Sequence, residues 1–360
     1  MIEPIMLPDW SINPAYTYKG GCRLKRPMRP DEEVTVDVVC ESVTRANESI
    51  EKCLWEEALF DLDTAMALMP THPIVRWNRG HVLLAMGRYA EGFAEYEWRF
   101  PLLGDQSVQT GIPRWRGEDV AGKRILVAHE WGYGDSFMLA RFIPVFKSMG
   151  AEVVLALPRS LHKLFEQFDV EVLKTEYQNP RHYDYHLPIF SALTHLVKSP
   201  RDIPPSPYLV ADKSKSVIVD KPAIGIAWSG DRDNCRDKHR SIDIELFLTS
   251  LKTYGYRLHS IQTSEICDAE KLGIDTPFYE DWTDTANSIM ACDHIISVDT
   301  APAHLAAALG HPSVHILVSC STYWPWYKSK IWYPTANVYR QSSPGDWAGV
   351  FALVNAKLNR

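Results

Sequence analysis

The feature that most constrains this chain is an alternation of short apolar runs with amphipathic segments, which begins at Lys123, breaks, and then restarts. Arg124 to His129 reads as a strand, Ser136 to Met149 as a helix, Ala151 to Leu157 as a strand, Ser160 to Phe168 as a helix and Tyr183 to Pro188 as a strand. The segment Lys198 to Pro207 carries Pro200, Pro204, Pro205 and Pro207 and reads as a linker. Beyond it come a strand at Ala223 to Trp228, a helix at Asp243 to Tyr254, a strand at Tyr256 to Gln262 and a helix at Asp284 to Ala291. A strand at His294 to Val298, a helix at Ala301 to Leu309, a strand at Ser313 to Val318 and a closing helix at Asp346 to Leu358 complete the pattern. Such spacing favours parallel sheets with helices on both faces. Two such halves imply a cleft between them, and open parallel sheets bind ligands at the carboxyl ends of their strands.

Upstream of Lys123 the pattern is helical. Trp55 to Leu59 and Tyr89 to Phe93 are offset by 34 residues, the tetratricopeptide period. Gly80 and Pro70 stand where such units place a glycine and a closing residue. Helices are expected at about 40 to 51, 54 to 68, 73 to 86 and 89 to 100. Two units bury too little to stand alone, because about three are needed, so they should pack on the downstream part of the chain. The expected division is an irregular extension at 1–38 with a basic patch (Arg23, Lys25, Arg26, Arg29), tetratricopeptide-like helices at 39–106, Rossmann-like halves at 107–212 and 213–340, and a C-terminal helix at 341–360.

At 360 residues the chain exceeds one ordinary core. A net charge of -7 and a pI near 6.0 give no general reason for nucleic-acid or membrane binding. The seven cysteines are scattered and never in a C-x-x-C pair, which suggests reduced thiols in a cytoplasm. No basic segment followed by an apolar stretch opens the chain, and no window nears the ~18 to 20 apolar residues of a spanning helix.

Three loops at strand ends carry the chemistry. In Glu130-Trp131-Gly132-Tyr133-Gly134-Asp135-Ser136, two glycines let a turn approach a substrate, and Asp135 lies at the helix start. It is either an N-cap or a carboxylate facing the cleft, placed to take a proton from a hydroxyl. The loop Ser229 to Ser241 holds Asp231 and Asp233, a D-x-D, and then Arg236, Lys238, His239 and Arg240, fixed cations that suit phosphates without a metal. In Ser297-Val298-Asp299-Thr300-Ala301-Pro302-Ala303-His304, a strand ends in a tight turn and a proline opens a helix, whose free amides attract phosphate. His182, Asp184 and His186 share one face of a strand but lack further ligands. No G-x-G-x-x-G, G-x-x-x-x-G-K-[ST] or G-x-S-x-G appears at either half. The aromatic run Tyr323 to Tyr327, with Trp332 and Tyr333, reads equally as a stacking surface for a base or sugar and as packing between parts.

The order Tyr96-Glu97-Trp98-Arg99-Phe100, Pro113-Arg114-Trp115-Arg116-Gly117, Gly134-Asp135, Arg240-Ser241, Asp284-Thr285-Ala286, Ser297 to Thr300, His304-Leu305-Ala306, Arg340-Gln341 and Gly345-Asp346-Trp347 resembles the bacterial tetratricopeptide-repeat glycosyltransferases. Their catalytic region is similar to that of the heptosyltransferases of glycosyltransferase family 9 and, more distantly, to the O-GlcNAc transferases. The resemblance implies an α/β GT-B fold of two Rossmann-like domains. It also implies inverting, metal-independent sugar transfer from a nucleoside diphosphate sugar, with no other cofactor, to a hydroxyl on a glycan or protein. It implies Asp135 as base, and Lys238, Arg240, Ser241, Asp299, Thr300, Ala301 and His304 around the donor diphosphate and sugar. Trp228, Gly230 and Gln262 would lie near the nucleotide, and Trp131, Gly132, Tyr133 and Gly134 on the acceptor side. Two departures stand out: Glu130-Trp131-Gly132 where relatives have Glu-Gln-Gly, and Thr263-Ser264-Glu265 after Gln262 where relatives often have a lysine. A hydroxylated DNA base as acceptor, or a catalytically inactive nucleotide-sugar-binding scaffold, are the alternative readings.

Overall fold

The computed structural model describes residues 30–103, 111–173, 182–212, 220–232, 234, 237–263 and 269–359. Residues 1–29 with their basic patch, Asp233, Arg236, Ser264 and Glu265 lie outside the described residues.

Four helices open the described chain: α1 (Pro30–Glu51), α2 (Trp55–Leu68), α3 (Pro73–Met86) and α4 (Tyr89–Tyr96), followed by the short α5 (Arg99–Leu103). The helix α1 begins inside the stretch expected to be irregular. Pro30 suits the first position of a helix, where its missing N–H costs no hydrogen bond. Gly87 at φ 85° ends α3 in the left-handed conformation. Consecutive helices pack pairwise, and the crossing of α3 and α4 depends on glycine. A Cβ on Gly92 would lie 2.7 Å from Leu84 Cγ, and one on Gly80 would lie 3.1 Å from the Gly92 carbonyl.

Two parallel sheets come next. In the first, β1 (Arg124–Ala128), β2 (Glu152–Ala156), β3 (Glu171–Val172) and β4 (Tyr185–Pro188) lie in the order β3-β2-β1-β4. The helix α6 (Tyr133–Leu139) succeeds β1, and α7 (Ser191–Leu196) succeeds β4. In the second, β5 (Ala223–Ala227), β6 (Arg257–Ser260), β7 (His294–Val298), β8 (Val314–Val318) and β9 (Ala336–Arg340) lie in the order β6-β5-β7-β8-β9. Its helices are α8 (Asp237–Arg240), α9 (Ile244–Ser250), α10 (Trp282–Ala291), α11 (Ala301–Ala308) and α12 (Trp347–Leu358). The central strands are buried along nearly their whole length, as their continuous Val/Ile/Leu runs require. The strand β9 was not expected: only Ala336 is buried, so the sequence has no apolar run there. The last helix belongs to the second sheet, since Trp347, Val350, Phe351 and Val354 share a core with Ile224, Ile226 and Ile296.

The expected linker is not free. Tyr208 and Leu209 donate amides to the Ala308 carbonyl at the end of α11, and Ile203 and Leu209 are buried. The segment Pro113 to Trp115 runs beside β4, with the Trp115 amide donating to His186 O and the His186 amide to Pro113 O. The side chain of Asp184 accepts from Lys123 and the Arg124 amide while His186 is buried. Among the described residues no three His, Cys, Asp or Glu side chains converge as metal ligands would.

The helices α3 and α4 merge with the main core, which also takes in both sheets and Trp324, Trp326, Trp332 and Tyr333. Trp332 Nε1 donates to Tyr89 OH, and Phe93 packs edge-on against Trp324. The strongest tie is polar. Arg99, 1% exposed, donates from Nε to Glu130 Oε1 (2.9 Å), from Nη1 to Glu97 Oε1 (2.6 Å) and from Nη2 to Ser191 Oγ (2.9 Å). Burial pushes the Glu130 carboxyl above its usual range against the pull of Arg99, while at Glu97 the neighbouring Arg99 outweighs burial and holds it below. Removing one member of such a buried cluster strands the others. In urea denaturation Arg99→Ala should cost about 3–5 kcal/mol. Arg88→Ala, which breaks the exposed pair with Glu91, should cost at most about 1 kcal/mol.

Candidate functional site

The carboxyl ends of β1, β5, β7 and β8 face one cavity of about 930 Å³ between the two sheets. Trp131, Gly132, Tyr133, Gly134, Asp135, Gly230, Arg240, Gln262, Asp299, Thr300, Ala301 and His304 all line it. Trp228, Lys238 and Ser241 do not. Trp228 is buried in the core of the second sheet, Lys238 is exposed, and Ser241 Oγ accepts the Gly230 amide behind the loop.

Of the two cations expected near phosphate, Arg240 lines the cavity and Lys238 does not. Residues two apart on a helix do not face the same way, so when Arg240 turns inward from α8, Lys238 cannot. The guanidinium is fixed by Asp237 Oδ1 (3.2 Å) and by the Asp299 carbonyl (2.9 Å). It lies over Gly230, where a Cβ would sit 2.5 Å from both Nη2 and Asp237 Oδ1, so a larger residue would displace the guanidinium. Gln262 shapes the same loop by accepting the Trp228 and Ser229 amides and donating to Ser229 Oγ.

At the start of α11 Thr300 is extended (φ -144°, ψ 175°) and Pro302 brings no N–H. The Ala303 and His304 amides turn back to the Thr300 carbonyl, which leaves Thr300 and Ala301 to face an anion. The carboxylate of Asp299 is held by the segment that succeeds β8. Its Oδ1 accepts from Trp326 Nε1 (2.6 Å) and its Oδ2 from Thr322 Oγ1 (3.2 Å), so it anchors the 319–326 loop. His304, 3% exposed, meets Tyr333 OH at 2.9 Å and packs at a tilt against Trp326, and burial lowers its pKa to about 4. It is therefore neutral at physiological pH and adds a polar contact without charge.

Asp135 is not the N-cap, which is Gly132, but the third residue of α6, and it lines the cavity. Its Oδ2 accepts the Gly132 amide (3.1 Å), a cap for its own helix, and its Oδ1 accepts from Tyr323 OH (2.9 Å), which reaches over from the second sheet. Burial, with smaller contributions from Asp299 and Glu130, raises its pKa to about 7 although the Tyr323 and Gly132 hydrogen bonds oppose the shift. The starts of α6 and α11 are in close contact, because Gly134 has no side chain: a Cβ there would sit 2.8 Å from His304 Cδ2 and 3.5 Å from Ala301 Cα.

Sequence reasoning missed Tyr323, Thr322 and Trp326 as organisers of this site, although their aromatic run directly succeeds β8 at the binding end of the sheet. It also missed His81 and Tyr96, by which α3 and α4 line the cavity. Trp131 explains one departure from the resembled pattern. It adopts φ 63° and stacks on Trp77 of α3 with the planes 18° apart, so the aromatic residue goes with the helical layer behind it.

Residues 282–330 match the description of glycosyltransferase family 9 (heptosyltransferase). The chain is 29% identical over 327 residues to Protein FlbA of Caulobacter vibrioides, covering 76% of this chain, and it spans about half (54%) of that relative's length. Its fold is similar to that of an E. coli ADP-heptose LPS heptosyltransferase II, with a TM-score of 0.51, 17% identity and coverage of 66% of this chain and 98% of that one. A family 9 glycosyl transferase from Veillonella parvula aligns with a TM-score of 0.47, 11% identity and coverage of 68% and 97%. Residues 282–330 are thus similar to glycosyltransferase family 9, and the α/β fold of parallel sheets is similar to that of a GT-B heptosyltransferase.

A carboxyl with a folded pKa near 7 and an unfolded value near 3.9 is protonated preferentially in the folded state. Its contribution to stability is therefore lost as pH rises from about 4 to about 7. The melting temperature of the native chain should fall relative to that of Asp135→Asn across that window, and the two curves should run parallel above pH 8. Scanning calorimetry at half-unit pH steps measures this.

Proposed function

We propose that the chain transfers a sugar from a nucleoside diphosphate sugar to a hydroxyl acceptor, with inversion at the anomeric carbon and without a metal. The observation that carries this reading is a carboxylate of raised pKa, Asp135, in one cavity with Arg240 and the α11 helix start. A base is most effective when its pKa lies near the working pH. Asp135 takes the proton of the acceptor hydroxyl as its oxygen bonds to C1, and the bond from C1 to the diphosphate breaks on the opposite face. The charge that collects on the leaving diphosphate meets the Arg240 guanidinium and the Thr300 and Ala301 amides, which serve in place of a cation. Gly230 and Gln262 shape the loop toward the nucleotide, and Trp131 to Gly134 form the acceptor side.

We read the N-terminal helices as tetratricopeptide-type units that close the cavity from behind, and the chain as cytoplasmic. Among the described residues no helix is long and apolar enough to cross a membrane. The cavity favours a small or neutral acceptor over a DNA base. Its described lining carries Asp135, Asp231, Glu280, Asp281 and Asp299 against Arg232 and Arg240, whereas a DNA backbone calls for an excess of cations.

The test is release of nucleoside diphosphate from a panel of nucleotide sugars in the presence of candidate glycan and peptide acceptors. With the active pair, kcat/KM should rise with pH to a plateau above about 7, because the ionised form of Asp135 is the base. Asp135→Asn should lower kcat by about 10²–10⁴. Retention within a few-fold would remove Asp135 as the base, and failure of every nucleotide sugar to bind would favour the inactive scaffold.

A further inference from the structure

Tyr323 stands at a junction that base catalysis does not by itself require. Its hydroxyl crosses from the second sheet's half to Asp135 Oδ1, which belongs to the first half. The two neighbouring anchors of the same loop, Thr322 Oγ1 and Trp326 Nε1, hold both oxygens of Asp299, one residue before the helix start that faces the phosphates. The loop is further fixed by the Thr322 amide, which donates to Tyr327 OH, and by Ser319 Oγ, which donates to the Ser321 carbonyl. One short segment therefore grips the carboxylate on the acceptor side with one residue and the phosphate turn with two others.

We propose that Tyr323 is a positioning residue: its hydroxyl orients the Asp135 carboxylate and stabilises its ionised form, and the 319–326 loop ties that carboxylate to the Asp299 turn. The proposal rests on the reading of Asp135 as base. With Oδ2 taken by the Gly132 amide and Oδ1 by the phenol, the remaining lone pairs define the direction from which an acceptor hydroxyl can be deprotonated. The bond exists only when the two halves are seated as they are here, so the base is assembled by their juxtaposition. Other charged or titratable groups around the carboxyl are Asp299 and Tyr333 from the second half, Glu130 behind the loop, and His304 packed against Gly134. Burial keeps the Tyr323 phenol protonated and His304 neutral, so neither titrates with Asp135.

The test uses the full chain and does not depend on finding an acceptor. Melting temperature is tracked from pH 4 to 9 for the native chain, Asp135→Asn and Tyr323→Phe, and for a chain with 3-fluorotyrosine incorporated at position 323. Loss of a hydrogen bond to the ionised form raises the folded pKa, so Tyr323→Phe should move the pH at which the decline in melting temperature levels off upward by about one unit. Fluorotyrosine, a stronger donor, should move it downward, and Asp135→Asn should show no such decline. A purely structural tyrosine would lower the melting temperature equally at every pH and leave the levelling point in place, and that outcome overturns the proposal. So does a levelling point that survives in Asp135→Asn. If Tyr323→Phe does not fold, the direction of the fluorotyrosine shift decides alone. A null result in the nucleotide-sugar panel alongside the expected pH shifts would sink the transferase reading while sparing the link between Tyr323 and Asp135.

Discussion

The arrangement depends first on a cation with no access to water. Arg99 lies between Glu97, just beyond α4, and Glu130, in the loop after β1, with Ser191 at the start of α7 as a further acceptor. Taking Arg99 and Glu130 out of water is costly, and it is tolerable because each finds several partners, among them the half-buried Glu97. Glu130 also accepts the Phe190 amide, and Glu97 accepts from Ser191 Oγ. The geometry is thus over-determined. The loop that presents Trp131 through Asp135 is held from behind by the helical layer, and its path into the cavity is a result of that hold.

From this loop a chain of contacts runs to the other half. Gly134 lets α6 touch α11, Trp282 packs against Tyr133 and Phe137, and Tyr323 bonds to Asp135. Each contact is made by residues that also line the cavity or adjoin those that do. The packing that joins the halves and the surface that would meet a substrate are therefore largely the same set of atoms.

Much of this was legible in the sequence, for identifiable reasons. The strand at His294–Val298 and the helix from Ala301 could be read because an apolar run, a polar turn and a proline leave few alternatives. Asp135 could be picked out as a candidate base, but its second partner could not, since Tyr323 lies 188 residues away. The sequence places Asp299 in the turn expected around the diphosphate, but it does not reveal that the buried Trp326 and Thr322 donors hold its carboxylate. The choice between Lys238 and Arg240 turned on which face of one helical turn points inward, and a loop of mixed charges does not announce that. The strand β9 escaped because a half-buried edge has no continuous apolar run, and the start of α1 escaped because prolines and charges resemble an extension until a helix is seen beyond them.

Arg141, just after α6, is 1% exposed, and its named partners are all neutral: the carbonyls of Met138, Pro204 and Trp332 and the hydroxyl of Tyr208. The rings of Tyr208, Trp332 and Tyr333 surround it at 4.5 to 5.2 Å. One guanidinium therefore reads the first half, the crossing segment and the second half at once. Any rotation of one half about the crossing segment would break several of its bonds together, in addition to the contacts that Gly134, Trp282 and Tyr323 make between the halves. Because the guanidinium is buried, salt should weaken this hold on the three segments far less than it weakens the exposed ion pairs of the surface.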